Sequence, residues 1–73
     1  MNPTKMSERL ANRLKERRTE LGLTQGQLAD MCLVSRKTVN TVENGVFVPS
    51  TLLALKLADA LQVSVEQLFW IDR

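Results

Sequence analysis

The 73-residue chain has no histidine, no tyrosine and a single cysteine, Cys32. With these residues, a disulfide framework inside the chain and a zinc site built from Cys and His are both excluded. A lone thiol is ordinary in a reducing compartment. Aromatic residues number three and prolines two, too few aromatics for the alternating pattern that a sheet-based core wants. No apolar run approaches the roughly 20 residues of a membrane span, and the first residues lack the apolar centre of a secretory signal. The chain therefore reads as a soluble, cytoplasmic protein that does not meet a membrane.

Aliphatic residues make up most of what is present: 44% of the chain is apolar, enough for one small domain built from leucine and valine. At this length only about 60% of the unfolded surface can be buried, so those residues must pack economically. The expected class is all-α, a compact five-helix bundle.

Charge is unevenly placed. Residues 1–37 carry eight Lys and Arg against four Asp and Glu, while residues 38–73 carry two against four. A basic front and a mildly acidic back suit a module that meets a polyanion on one side.

Residues 1–6, with an early Pro3, read as an arm. Leu10, Leu14 and Leu21 fall at helical spacing behind Ser7, a candidate cap, and Gly22 suits the left-handed residue that stops a helix. The first helix is expected over about 7–21. Thr24 and Gln27 form a T-x-x-Q capping box for a second helix over about 25–32; Gly26 in its first turn costs roughly 1 kcal/mol relative to Ala. Ser35 caps a third helix, about 36–44, which Gly45 ends. Residues 45–49 form a loop in which Val46-Phe47-Val48 is either an exposed apolar patch or, the leading expectation, a segment pinned on the core by Phe47. Pro49-Ser50 introduces a fourth helix in which Leu52, Leu53, Leu55, Leu57, Ala58 and Leu61 cover most of the circumference, so it is expected in the middle of the bundle. Ser64 and Gln67 form a second capping box, starting a fifth helix with Val65, Leu68 and Phe69 on one face. Residues 70–73 remain as a tail.

Residues 25–44 form a unit. Leu28, Cys32, Val34, Val39 and Val42 point into the angle between the second and third helices, and Ala29 sits where those helices cross. The outer face of the third helix carries Arg36, Lys37, Asn40 and Thr41, donors and acceptors on a rod of a size that enters the DNA major groove.

These features resemble the phage repressor and Cro-like (XRE-type) helix-turn-helix family of transcriptional regulators. The match extends over about residues 8–69. It rests on Leu21-Gly22-Leu23-Thr24-Gln25, Leu28-Ala29, Val34-Ser35-Arg36, Thr38-Val39, Glu43-Asn44-Gly45, Pro49-Ser50 and Ala58-x-x-Leu61-x-Val63-Ser64. The resemblance implies a lambda-repressor-like domain whose third helix enters the major groove behind the cap Ser35, with Arg36, Lys37 and Thr41 reading bases beside Asn40. It implies that Gln25 touches a phosphate and braces the first reading residue, and that Asn44 and the following loop amides meet the next phosphate. It further implies a buried ion pair between Arg18 and Glu43. Leu33 departs from the family, which usually has Gly in that turn, and Val46 and Val48 stand where basic or polar residues are common.

The expected partners are double-stranded DNA and a second copy of the chain, with helix five and Phe69, Trp70 and Ile71 as the candidate dimer surface, or Trp70 folded back over the first helix instead. A repressor acting by operator occupancy is the leading expectation. The alternative is an antitoxin-like or adaptor module that binds a protein. No cofactor, metal or small-molecule ligand is expected, and an enzyme is disfavoured: histidine is lacking, Cys32 reads as core, and the glycines form no phosphate-cradling loop.

Overall fold

The computed structural model describes residues 8–73; the arm over 1–6 and the cap Ser7 lie outside them. In chain order the elements are β1 (Arg9–Asn12), α1 (Leu14–Glu20), α2 (Gln25–Cys32), α3 (Arg36–Glu43), α4 (Thr51–Ala60), α5 (Val65–Leu68) and β2 (Phe69–Asp72). Five helices form as expected, but the domain is not all-α.

β1 and β2 pair antiparallel, with Arg9 opposite Asp72, Leu10 opposite Ile71, Ala11 opposite Trp70 and Asn12 opposite Phe69. The expected first helix, about 7–21, therefore begins only at Leu14, roughly two turns late, and what read as a helix end and tail becomes a strand. A two-stranded ribbon is marginal alone. Here Phe69 is buried and Leu10 packs against the core, Arg13 N–H donates to Leu68 O at 3.0 Å, and Arg73 meets Glu8 at 2.7 Å. At the end of β1, Asn12 Oδ1 accepts from Leu14 N–H at 2.9 Å, across the N-cap residue Arg13, whose own side chain makes no capping bond.

The remaining helix ends follow from their capping residues. Both capping boxes close, Thr24 with Gln27 and Ser64 with Gln67. Ser35 accepts from Thr38 N–H and Ser50 from Leu53 N–H, each at 3.1 Å. Gly22 and Gly45 adopt positive φ, 70° and 72°, the left-handed stop a glycine reaches without a Cβ clash. Leu33 and Gln62 do the same at 58° and 60° without being glycine.

The core gathers Leu14, Leu28, Cys32, Val39, Val42, Leu57, Leu61 and Leu68, each at most 2% exposed. Ala29, the small residue expected at the crossing of α2 and α3, is also buried, at 2% exposed. Two expectations fail. α4 is not surrounded: Leu53, Leu57 and Leu61 recur every fourth residue on the buried side, while Leu52 and Leu55 are 63% and 53% exposed on the other. Nor does Phe47 pin the loop, since it is about half exposed between two exposed valines. Among the described residues, no element covers the outer side of α4 or the 45–49 loop. Among the described residues, no helix is long and apolar enough to cross a membrane.

Candidate nucleic-acid interface

α3 is sharply two-sided. Val39 and Val42 are each 1% exposed, whereas Arg36, Lys37 and Asn40 are exposed and Thr41 is half-buried. At about 100° per residue, those four side chains fall within roughly 140° of arc, opposite the two valines. The structure thus brings the three residues expected to read bases, Arg36, Lys37 and Thr41, onto one face with Asn40 beside them.

The turn that presents this face is strained. Leu33 closes α2 in the left-handed region and is 85% exposed, so its side chain packs on nothing that would offset the roughly 1–2 kcal/mol conformational cost. Val34 N–H still bonds to Ala29 O at 3.0 Å, which keeps the turn tight enough for Ser35 to cap α3. Ser35 Oγ also lies 2.9 Å from Thr38 Oγ1, and Thr41 Oγ1 donates to Thr38 O at 3.0 Å. Thr38 thus organises the first turn, a role that sequence reasoning missed although Ser-x-x-Thr spacing signals it. Thr41 spends its hydroxyl proton internally, leaving its methyl group and acceptor lone pairs for a partner.

Behind this face lies a chain of polar contacts. Arg18 grips Glu43 in two-pronged fashion, Nε to Oε2 at 2.7 Å and Nη2 to Oε1 at 3.0 Å, while Nη1 donates to Leu23 O at 2.8 Å. The side chains are 13% and 3% exposed. Burial pushes the Glu43 carboxyl up, but hydrogen bonds from Arg18 and Gln25 and the nearby positive charge outweigh it, so its pKa falls below the usual range. The hydrogen bond to Glu43 likewise raises the Arg18 pKa. The expected ion pair is present and spans α1 and the end of α3.

Gln25 does not brace Arg36. Its Nε2 donates to Glu43 Oε1 at 3.2 Å and its Oε1 accepts from Asn40 Nδ2 at 3.4 Å. The residue braced is Asn40. Asn44 closes α3, donating from Nδ2 to Asn40 O at 2.9 Å. The amides of Gly45, Val46 and Phe47 are bonded to Val42 O and Thr41 O, so they are not available to a phosphate as expected. A further strap was not foreseen: Asn12 Nδ2 donates to Val42 O at 3.1 Å, holding β1 to α3. Its two partners lie 30 residues apart in sequence, so no local pattern announces it.

Of the three residues expected at a dimer surface, Phe69 belongs to the core at 7% exposure. Trp70 is partly exposed, with the Arg13 guanidinium 5.1 Å above its ring centroid, a cation–π contact that turns it towards the start of α1. Ile71 is exposed. Cys32 is buried, and burial raises its thiol pKa, which keeps it in the unreactive thiol form. Among the described residues, no group of three or more Cys, Asp and Glu is placed to hold a metal ion.

A capped, exposed basic helix set by a tight turn on a packed helical scaffold defines a helix-turn-helix domain. Comparison with known proteins agrees. The helix-turn-helix family HTH_3 matches residues 14–68. An HTH-type transcriptional regulator of Bacillus subtilis, YgzD, is 40% identical over 63 residues, covering 86% of this chain and 96% of that protein. The cryptic phage CTXphi transcriptional repressor RstR of Vibrio cholerae is 36% identical over 64 residues, 88% of this chain and 54% of RstR. Among solved structures, the restriction-modification controller protein C.AhdI from Aeromonas hydrophila superposes with a TM-score of 0.72 at 40% identity, covering 75% of this chain and 83% of C.AhdI. The chain belongs to the helix-turn-helix family of transcriptional regulators, as its motifs implied.

Proposed function

We propose that this DNA-binding transcriptional regulator is a repressor that acts in the cytoplasm by occupying an operator, with α3 in the major groove. The observation that carries this reading is the two-sidedness of α3. Its apolar side is sealed, and its outer side presents Arg36, Lys37, Asn40 and Thr41 together. Arg36 and Lys37 suit guanine O6 and N7, and Thr41 suits a thymine methyl or an amino group. The exposed first turn of α3 offers a positive dipole end to phosphate. Repression is supported by the name of the phage repressor RstR among the relatives.

The regulator works as a homodimer that sets two copies of α3 about 34–36 Å apart, one turn of DNA. Ile71 and the exposed side of Trp70 remain candidates for its interface. The exposed Leu52 and Leu55 on α4, with Leu55 lining a surface groove together with Val65 of α5, add a second apolar surface. Leu55→Glu and Ile71→Glu distinguish them: the variant that sediments as a monomer marks the interface.

Binding to selected duplexes across a salt series tests the reading. Affinity should fall steeply, with a log–log slope of about −0.9 for each phosphate contacted. Binding that ignores salt, together with a co-purifying protein, would favour the adaptor reading, which the exposed Val46, Phe47 and Val48 support.

A further inference from the structure

Asn40 lies centrally on the outer face of α3, and its amide has chemically opposite ends. Which end faces outward is decided at the part-buried pair of Arg18 with Glu43. Glu43 is held as a carboxylate by Arg18 through both oxygens, and an ionised carboxylate only accepts hydrogen bonds. Gln25 must therefore turn Nε2 towards Glu43, which it does at 3.2 Å. Its Oε1 is left facing Asn40, and an acceptor there requires a donor. Asn40 supplies Nδ2 at 3.4 Å. Flipping either amide would set oxygen against oxygen or leave Glu43 facing an acceptor. The polarity of a buried ion pair is thus handed through two amides to the surface.

With one Nδ2 N–H directed at Gln25, Asn40 keeps its other N–H and its Oδ1 for a partner. One donor and one acceptor side by side match the major-groove edge of adenine, which presents acceptor N7 beside donor N6. Guanine offers two acceptors there, O6 and N7, so its O6 would oppose Oδ1.

We propose that Asn40 reads adenine in each half-site, and that Gln25 and Glu43 are positioning residues that preset its amide. This rests on the DNA-reading function proposed above, and deepens it by naming a base and the residue that selects it.

The test starts from duplexes selected from random DNA by the wild-type protein. One position per half-site should be adenine, preferred about 5- to 150-fold over other bases, the range of one bidentate contact. Asn40→Ala should abolish that preference without moving the melting temperature, because the side chain is exposed. Gln25→Ala should weaken it at the same position. Replacing that adenine by 7-deazaadenine, which lacks the N7 acceptor, should weaken wild-type binding and leave Asn40→Ala unaffected.

If Asn40→Ala instead weakens all sequences equally, or leaves every base preference intact, the adenine assignment is overturned while Arg36-dependent DNA reading stands. If the wild-type protein selects no sequence, the DNA-reading function falls and this inference with it.

Discussion

The two sides of the reading helix carry polar residues of the same kinds under opposite conditions. On the inner side Arg18, Glu43 and Gln25 are satisfied at 2.7–3.2 Å, and Glu43 is nearly sealed from solvent. On the outer side Arg36 and Lys37 stand exposed. The inner charges can be broken only at the expense of the fold, because removing one partner leaves the other buried and unpaired. The outer charges can be removed with little effect on stability. Stability and specificity therefore lie at different places on one eight-residue helix, Glu43 held by Arg18 at its last turn and Arg36 and Lys37 exposed at its first, with Gln25 and Asn40 linking them.

The largest effect should come from the inner side. Glu43→Ala should lower stability by about 3–5 kcal/mol, measured by denaturant melts; a melting temperature near that of the wild type would show the ion pair to be dispensable. The same pair sets an acid limb. The Glu43 pKa is depressed in the folded state, so its contribution is fully present above the ordinary carboxylate range and is lost as pH falls through the folded value. Unfolding followed from pH 7 downward should show that decline, and Glu43→Gln should flatten it.

Next comes the outer side. Arg36→Ala should reduce discrimination at one base pair by about 1–3 kcal/mol, with stability changed by no more than about 0.5 kcal/mol. Smaller again are the backbone strains. Leu33→Gly relieves about 1–2 kcal/mol at a left-handed position, partly offset by the entropy a glycine adds to the unfolded chain, about 0.5–1 kcal/mol. A net gain of up to about 1.5 kcal/mol should appear in the melt, and a loss would mean that Leu33 makes contacts in solution. Gly26→Ala is the smallest. A Cβ there meets only Thr24 Oγ1, at 3.9 Å, and the helix should gain at most about 1 kcal/mol.

What could be read in the chain and what could not divide along distance in sequence. Caps announce themselves within four residues, so Thr24, Ser35, Ser50 and Ser64 marked four helix starts. The apolar spacing of Leu28, Cys32, Val39 and Val42 marked the sides that pack together. The ion pair of Arg18 with Glu43 came only through the family resemblance, since Arg18 alone is one of several basic residues. The ribbon was missed because its strands are four residues long and come from opposite ends of the chain; Leu10 fits a helical period as well as an alternating one. The leucines of α4 misled for a related reason. Composition shows how apolar a helix is, but the small number of neighbours decides that Leu52 and Leu55 stay exposed. The reading residues were legible because they lie within one short helix, whereas the orientation of Asn40 depends on Arg18, Gln25 and Glu43 from three different helices.

The most direct test of the division between faces is a paired measurement on Arg36→Ala/Lys37→Ala: its melting temperature, and its affinity for the selected duplex against a scrambled one at fixed salt. A melting temperature equal to that of the wild type, with the preference for the selected duplex gone, is the predicted result. A destabilised variant, or one that still prefers the selected duplex as strongly as the wild type, would contradict it.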